Sequence, residues 1–99
     1  MTQVEQNANE LWIEFMVDLV WDVCRDMRRF TADDIFDRYD DAPQDKPTTH
    51  ELRAMGPVMT RAAKEGLCRK ANVPAAPSRR RSLHASPRTV WDSLIYEGI

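Results

Sequence analysis

Nine permanent cations, Arg53, Arg61, Lys64, Arg69, Lys70, Arg79, Arg80, Arg81 and Arg88, crowd the second half of this 99-residue chain, with His84 as a possible tenth. From Arg69 to Arg88 there is no acid at all. Side chains of this kind do one piece of chemistry well: they neutralise phosphates and release the counterions around a polyanion, giving an affinity that falls steeply with salt. The other chemistries find little material. His50-Glu51 is half of a zinc-protease motif and stops there. Cys24, Cys68, His50 and His84 make a four-ligand set on paper, but their spacing is unlike a zinc finger, and both cysteines read as small core residues. No glycine-rich phosphate loop or nucleophile elbow occurs, so neither catalysis nor a cofactor nor a metal is expected. An arginine triplet alone is most often a solvated loop. What gives this one meaning is the basic helix face in the element before it.

That helix is expected over 49–65. At 3.6 residues per turn, Leu52, Met55, Gly56, Met59, Ala62 and Ala63 fall on one side, and His50, Arg53, Pro57, Thr60, Arg61 and Lys64 on the other. One face can pack on a core while the other offers cations and hydrogen-bond donors. Thr48-x-x-Glu51 has capping-box spacing at its start, and Gly66 stands where a left-handed cap would end it. Gly56-Pro57 in mid-pattern predicts a kink. Leu67 to Ala71 follows as a short strand. Asn72 to Pro87 is a loop rich in breakers, and Arg88 to Tyr96 is the return strand.

The net charge of −2 hides a division. Residues 1–45 hold twelve acids against four arginines, net −8, while residues 46–99 hold ten Lys or Arg against four acids, net +6. An anionic partner for the C-terminal half is implied. The length bounds the fold to a single domain with one modest core. Two cysteines make no disulfide framework, which suits a reducing cytoplasm. The N-terminus lacks the basic segment of a signal peptide. The apolar run 11–24 is interrupted by Glu14, Asp18 and Asp22 and is too short to span a bilayer.

Residues 1–8 are expected to fray, with Asn9 capping a long helix to about Arg29. Glu14, Asp18, Asp22, Arg25 and Arg29 form its one polar stripe, leaving an apolar arc of about two thirds of the circumference, wider than one surface helix needs. Either the hairpin and C-terminal tail cover the excess, or a second copy does. The second option is preferred here, as a homodimer through Ile13, Val17, Trp21 and Cys24. Thr31 then reads as the cap of a second helix, with Asp34 in capping-box spacing, Phe30 as the hydrophobic residue before it, and Ile35, Phe36 and Tyr39 on the buried side. Asp40 to Pro43 should end it, and residues 41–47 are a loop.

The strings Phe30-Thr31-Ala32-Asp33-Asp34-Ile35, Arg53 to Leu67 (RAMGPVMTRAAKEGL) and Ser78-Arg79-Arg80 … His84 … Arg88-Thr89-Val90-Trp91 resemble small winged helix-turn-helix proteins encoded by bacteriophages, especially those of actinobacteria. The resemblance covers about residues 30–94; the long first helix lies outside it. It implies a mainly α fold, three helices plus a two-stranded wing, with helix-turn-helix at 30–66 and wing hairpin at 67–96, in a bacterial host cytoplasm. The third helix would enter the major groove of double-stranded DNA and the hairpin would grip its flank. Arg53, Arg61, Lys64, Thr49, His50 and Thr60 are then the expected groove contacts. Arg79, Arg80 and Arg81 are the backbone or minor-groove contacts, supported by Arg69, Lys70, His84 and Arg88. Such a protein would act as a transcriptional regulator or a replication or recombination accessory. The alternative partner is a protein, docked on the acidic face of residues 14–45, where five aspartates fall between 33 and 41.

Overall fold

The computed structural model describes residues 3–48, 55–77 and 87–97, with side chains described from residue 10. The chain runs α1 (Gln3–Asp26), β1 (Arg29–Phe30), α2 (Ala32–Asp41), α3 (Met55–Lys64), β2 (Cys68–Lys70), β3 (Ala76–Pro77), β4 (Pro87–Arg88) and β5 (Trp91–Ser93). Among the described residues these make three helices, a three-stranded antiparallel sheet in which β5 lies between β1 and β2, and a separate two-stranded pairing of β3 with β4. No helix among the described residues is long and apolar enough to cross a membrane.

The core is one cluster drawn from every layer. Trp12, Met16, Val17, Val20, Val23 and Cys24 of α1 meet Phe30, Ile35 and Phe36, then Met55, Val58, Met59 and Ala62 of α3, then Leu67 and Cys68. α1 packs chiefly against α3 and next against α2. Most of its wide apolar arc is therefore covered inside the chain, partly by the tail, while Leu11 and Trp21 stay exposed. Ile95 packs on the cluster, the Glu97 N–H donates to the Arg25 carbonyl, and Arg25 pairs with the Glu97 carboxylate at 2.6 Å.

This corrects the expected dimer face. Val17 and Cys24 are buried in the chain's own core, and Ile13 is half-buried against it, because the helix sits between two layers rather than on one. Of the four, only Trp21 is exposed, and the Arg25 guanidinium covers its ring at 4.6 Å. α1 also starts earlier than expected, at Gln3, so Asn9 lies within the helix and does not cap it.

The second helix begins as its spacing demands. The Thr31 hydroxyl accepts from the Asp33 N–H at 3.2 Å, and the Asp34 carboxylate accepts from the Thr31 N–H at 2.9 Å. Phe30 and Ile35, which bracket this cap, are both buried. Tyr39 ends the buried side. Its ring meets Trp12 and Phe15 edge-on, its hydroxyl donates to the Pro47 carbonyl, and Lys46 lies over it, which ties the 43–47 loop down.

At its far end α3 finishes in a Schellman turn. The Leu67 N–H donates to the Ala62 carbonyl and the Gly66 N–H to the Ala63 carbonyl, with Gly66 at φ +80° and Leu67 folded back onto the core. The face assignment within α3 needs one correction: Val58 is buried and Gly56 exposed, so the outward face is Gly56, Pro57, Thr60, Arg61 and Lys64. The expected cap at 48–51 falls outside the described residues, whereas Gly56 and Pro57, where the kink is expected, lie inside the helix described over Met55–Lys64.

The wing is an interrupted ribbon rather than two continuous strands. Cys68, Arg69 and Lys70 pair with Ser93, Asp92 and Trp91, and further out Ala76 and Pro77 pair with Arg88 and Pro87. Between these pairings the outgoing arm carries extra residues, including Pro74, which cannot donate to a ladder. The return arm breaks at Thr89-Val90, where Val90 turns inward. β1 was not anticipated at all. Two residues after a long helix carry no strand pattern, and only the free edge of β5 makes Arg29 and Phe30 extend.

Candidate nucleic-acid interface

The outward face of α3 and the root of the wing flank one cleft of about 350 Å³. Met55, Gly56, Met59 and Thr60 line it from the helix, Lys70, Pro87, Arg88, Thr89 and Trp91 from the ribbon, and Ala32 from the start of α2. On the helix side it borders a shallow open hollow lined by Gly56, Pro57, Thr60, Arg61 and Lys64. Burial of residues 55, 58, 59 and 62 turns Thr60 and Lys64 outward and leaves Arg61 at the edge of the face, within reach of α1. Gly56 and Pro57 leave part of that surface without a long side chain, which allows close approach to the helix there.

The expected cations among the described residues divide into four groups. Lys64 on α3 and Lys70 in the cleft are exposed and have no carboxylate partner among the described residues, and Thr60 is exposed between them. Arg61 is already engaged. Its guanidinium donates to the Glu10 carboxylate of α1 at 2.8 Å, and that hydrogen bond, aided by the charges of Glu14 and Glu65, raises its pKa above the ordinary arginine value. Arg88 turns inward toward the buried Asp33, with 3.7 Å between Nε and the carboxylate, so it joins the wing to the start of α2 rather than facing solvent. Arg69 stands on the other side of the sheet, because successive residues of a strand point to opposite faces. Lys70 and Trp91 enter the cleft while Arg69 and Asp92 line a separate hollow behind it. Thr49, His50 and Arg53, and on the wing Arg79, Arg80, Arg81 and His84, lie outside the described residues.

No family model, curated protein or solved structure matches the chain. The sheet itself adds residues that the sequence did not offer. Arg29 donates to Asp92 at 2.8 Å across β1 and β5, and Arg28 lies over the Tyr96 ring at 5.3 Å. The sequence pattern puts Arg29 at the end of a helical stripe, and nothing local marks residues 28 and 29 as neighbours of residues 69 and 92. Asp33 was legible as a first-turn acid, but its burial against Arg88 was not. Cys24 and Cys68 are both buried in the core, where a hydrogen bond donated by Cys68 holds the Cys24 thiol below its ordinary range and, with burial, pushes the Cys68 thiol well above it. Among the described residues no group of three or more metal-ligating side chains forms.

Proposed function

We propose that this chain is a winged helix-turn-helix protein that binds double-stranded DNA, laying α3 along the major groove and the wing on the adjoining backbone or minor groove. The observation that carries it is the shared cleft: the donor face of α3 and the root of the basic ribbon open to the same side of the molecule. Lys64, Lys70 and Thr60 are the proposed contacts among the described residues; Thr49, His50, Arg53 and the triplet Arg79, Arg80, Arg81, outside the described residues, are proposed contacts from the sequence alone. Arg61 joins by exchanging Glu10 for a phosphate. An ion pair at a half-exposed surface costs little to exchange, since water already screens it. The biological role that fits is a transcriptional regulator or a replication or recombination accessory.

Fluorescence anisotropy with a duplex pool at low and moderate salt tests this. Binding should weaken steeply with salt, and the Arg79/Arg80/Arg81→Ala variant should lose about 2.7 from the log–log salt slope if each arginine meets one phosphate. Absence of duplex binding, or an unchanged slope in the variant, would overturn it.

A second reading has its own observation. Glu14, Asp18 and Asp22 on α1 and Asp37, Asp40 and Asp41 on α2 are exposed on two helices that pack together, a surface suited to a basic protein partner. Pull-down after charge reversal of Asp37, Asp40 and Asp41 separates the two: capture that survives reversal removes this alternative.

A further inference from the structure

On the sheet face turned away from the α3 cleft, the register places Arg29 and Arg69 on either side of Asp92. Arg28 and Tyr96 complete an open hollow of about 550 Å³. The acids around it are already committed: Asp92 accepts from Arg29, Glu97 pairs with Arg25, and Asp26 pairs with Arg38 at 3.0 Å. Arg28 and Arg69 have no carboxylate partner among the described residues, so one aspartate faces three guanidiniums and the hollow keeps a surplus of two positive charges. Guanidinium is the side chain best matched to phosphate oxygens, through paired N–H donors in one plane. Tyr96, with Arg28 over its ring at 5.3 Å, holds that guanidinium at the hollow.

We propose that this hollow binds the backbone of a second nucleic-acid segment, so that one chain holds nucleic acid on both sides of its sheet. The inference rests on the DNA-binding reading for its first segment and goes beyond it for the second. Strand alternation is what separates the two sites. Lys70 and Trp91 serve the α3 cleft, whereas their neighbours Arg69 and Asp92 serve this hollow, with the sheet between them.

A bridging assay tests it. One duplex is fixed to beads, the whole protein is added, and capture of a second, fluorescent duplex is measured at low salt. The wild type should capture it. Arg28→Ala/Arg69→Ala should keep its anisotropy affinity for a single duplex within about twofold, but capture of the second should fall to background. Its bridging should also lose about 1.8 from the salt slope where residual capture is measurable. Arg69→Ser alone, which removes a side chain without an ion pair, serves if the double variant folds poorly, and should reduce capture at least severalfold. Wild-type protein that binds one duplex and never bridges would overturn this proposal alone. Bridging that persists in the variants would also overturn it, because self-association would then explain the second duplex. Failure to bind any duplex removes both readings together.

Discussion

Exchanging Asp33 for asparagine should lower the melting temperature by about 10–20 °C, and the size of that shift tests whether Arg88 is a structural residue or a DNA ligand. Asp33 is 1% exposed and the Arg88 side chain is 25% exposed, so the pair closes the seam between α2 and the wing. Breaking a fully buried ion pair by removing one partner costs about 3–5 kcal/mol, since the other charge is left in a poor solvent. Here the guanidinium keeps a quarter of its surface in water and its Nε stands 3.7 Å from the carboxylate, beyond hydrogen-bond reach. The estimate therefore drops to about 2–3 kcal/mol, which a domain of this size converts at roughly 4–8 °C per kcal/mol. Arg88→Met, keeping the stem and removing the charge, should also destabilise, because the buried Asp33 carboxylate loses a neighbouring cation. The double variant Asp33→Asn/Arg88→Met should recover part of the loss, with a coupling of about 1–2 kcal/mol. Circular dichroism melts of the four proteins give the cycle, and anisotropy with duplex DNA gives the second readout. A shift under about 3 °C for Arg88→Met, joined to a large loss of duplex affinity, would refute the argument and return Arg88 to the phosphate contacts.

Three further outcomes are expected. Glu10→Gln releases Arg61 from its ion pair, so duplex binding should tighten at low salt and the salt slope should steepen by about 0.9, one extra phosphate neutralised; unchanged binding would place Arg61 outside the interface. Thr31→Ala removes the acceptor at the start of α2 and should destabilise the fold by about 1 kcal/mol in a urea titration, with the m-value unchanged. In the folded protein at pH 8 neither Cys24 nor Cys68 should react with a disulfide reagent, because both are buried in the core where a reagent has no access, even though the hydrogen bond from Cys68 holds the Cys24 thiol below its ordinary range. Both should react once the chain unfolds, and fast labelling of the native state would contradict the packing described for this pair.

The local signals in the chain were strong where a single turn decides them. Thr31 with Asp34, and Gly66 after Ala62 and Ala63, determine a helix start and a helix stop through hydrogen bonds within a few residues, so their spacing alone is enough. The same holds for the apolar positions 55, 59 and 62 of α3, which select its buried face within one element. The wide arc of α1 was equally visible, but an arc states only how much surface must be covered. What covers it was decided by α2, α3, β1 and the tail, which is why Val17 and Cys24 belong to the core and not to a second subunit. The basic residues follow the same division. Their number and their segregation from the acids are properties of the chain, whereas their separation into opposite sheet faces, the capture of Arg61 by Glu10 and the inward turn of Arg88 depend on strand register and helix packing. Those arise between residues more than twenty positions apart, where the hydrophobic effect sets the arrangement and no local pattern records it.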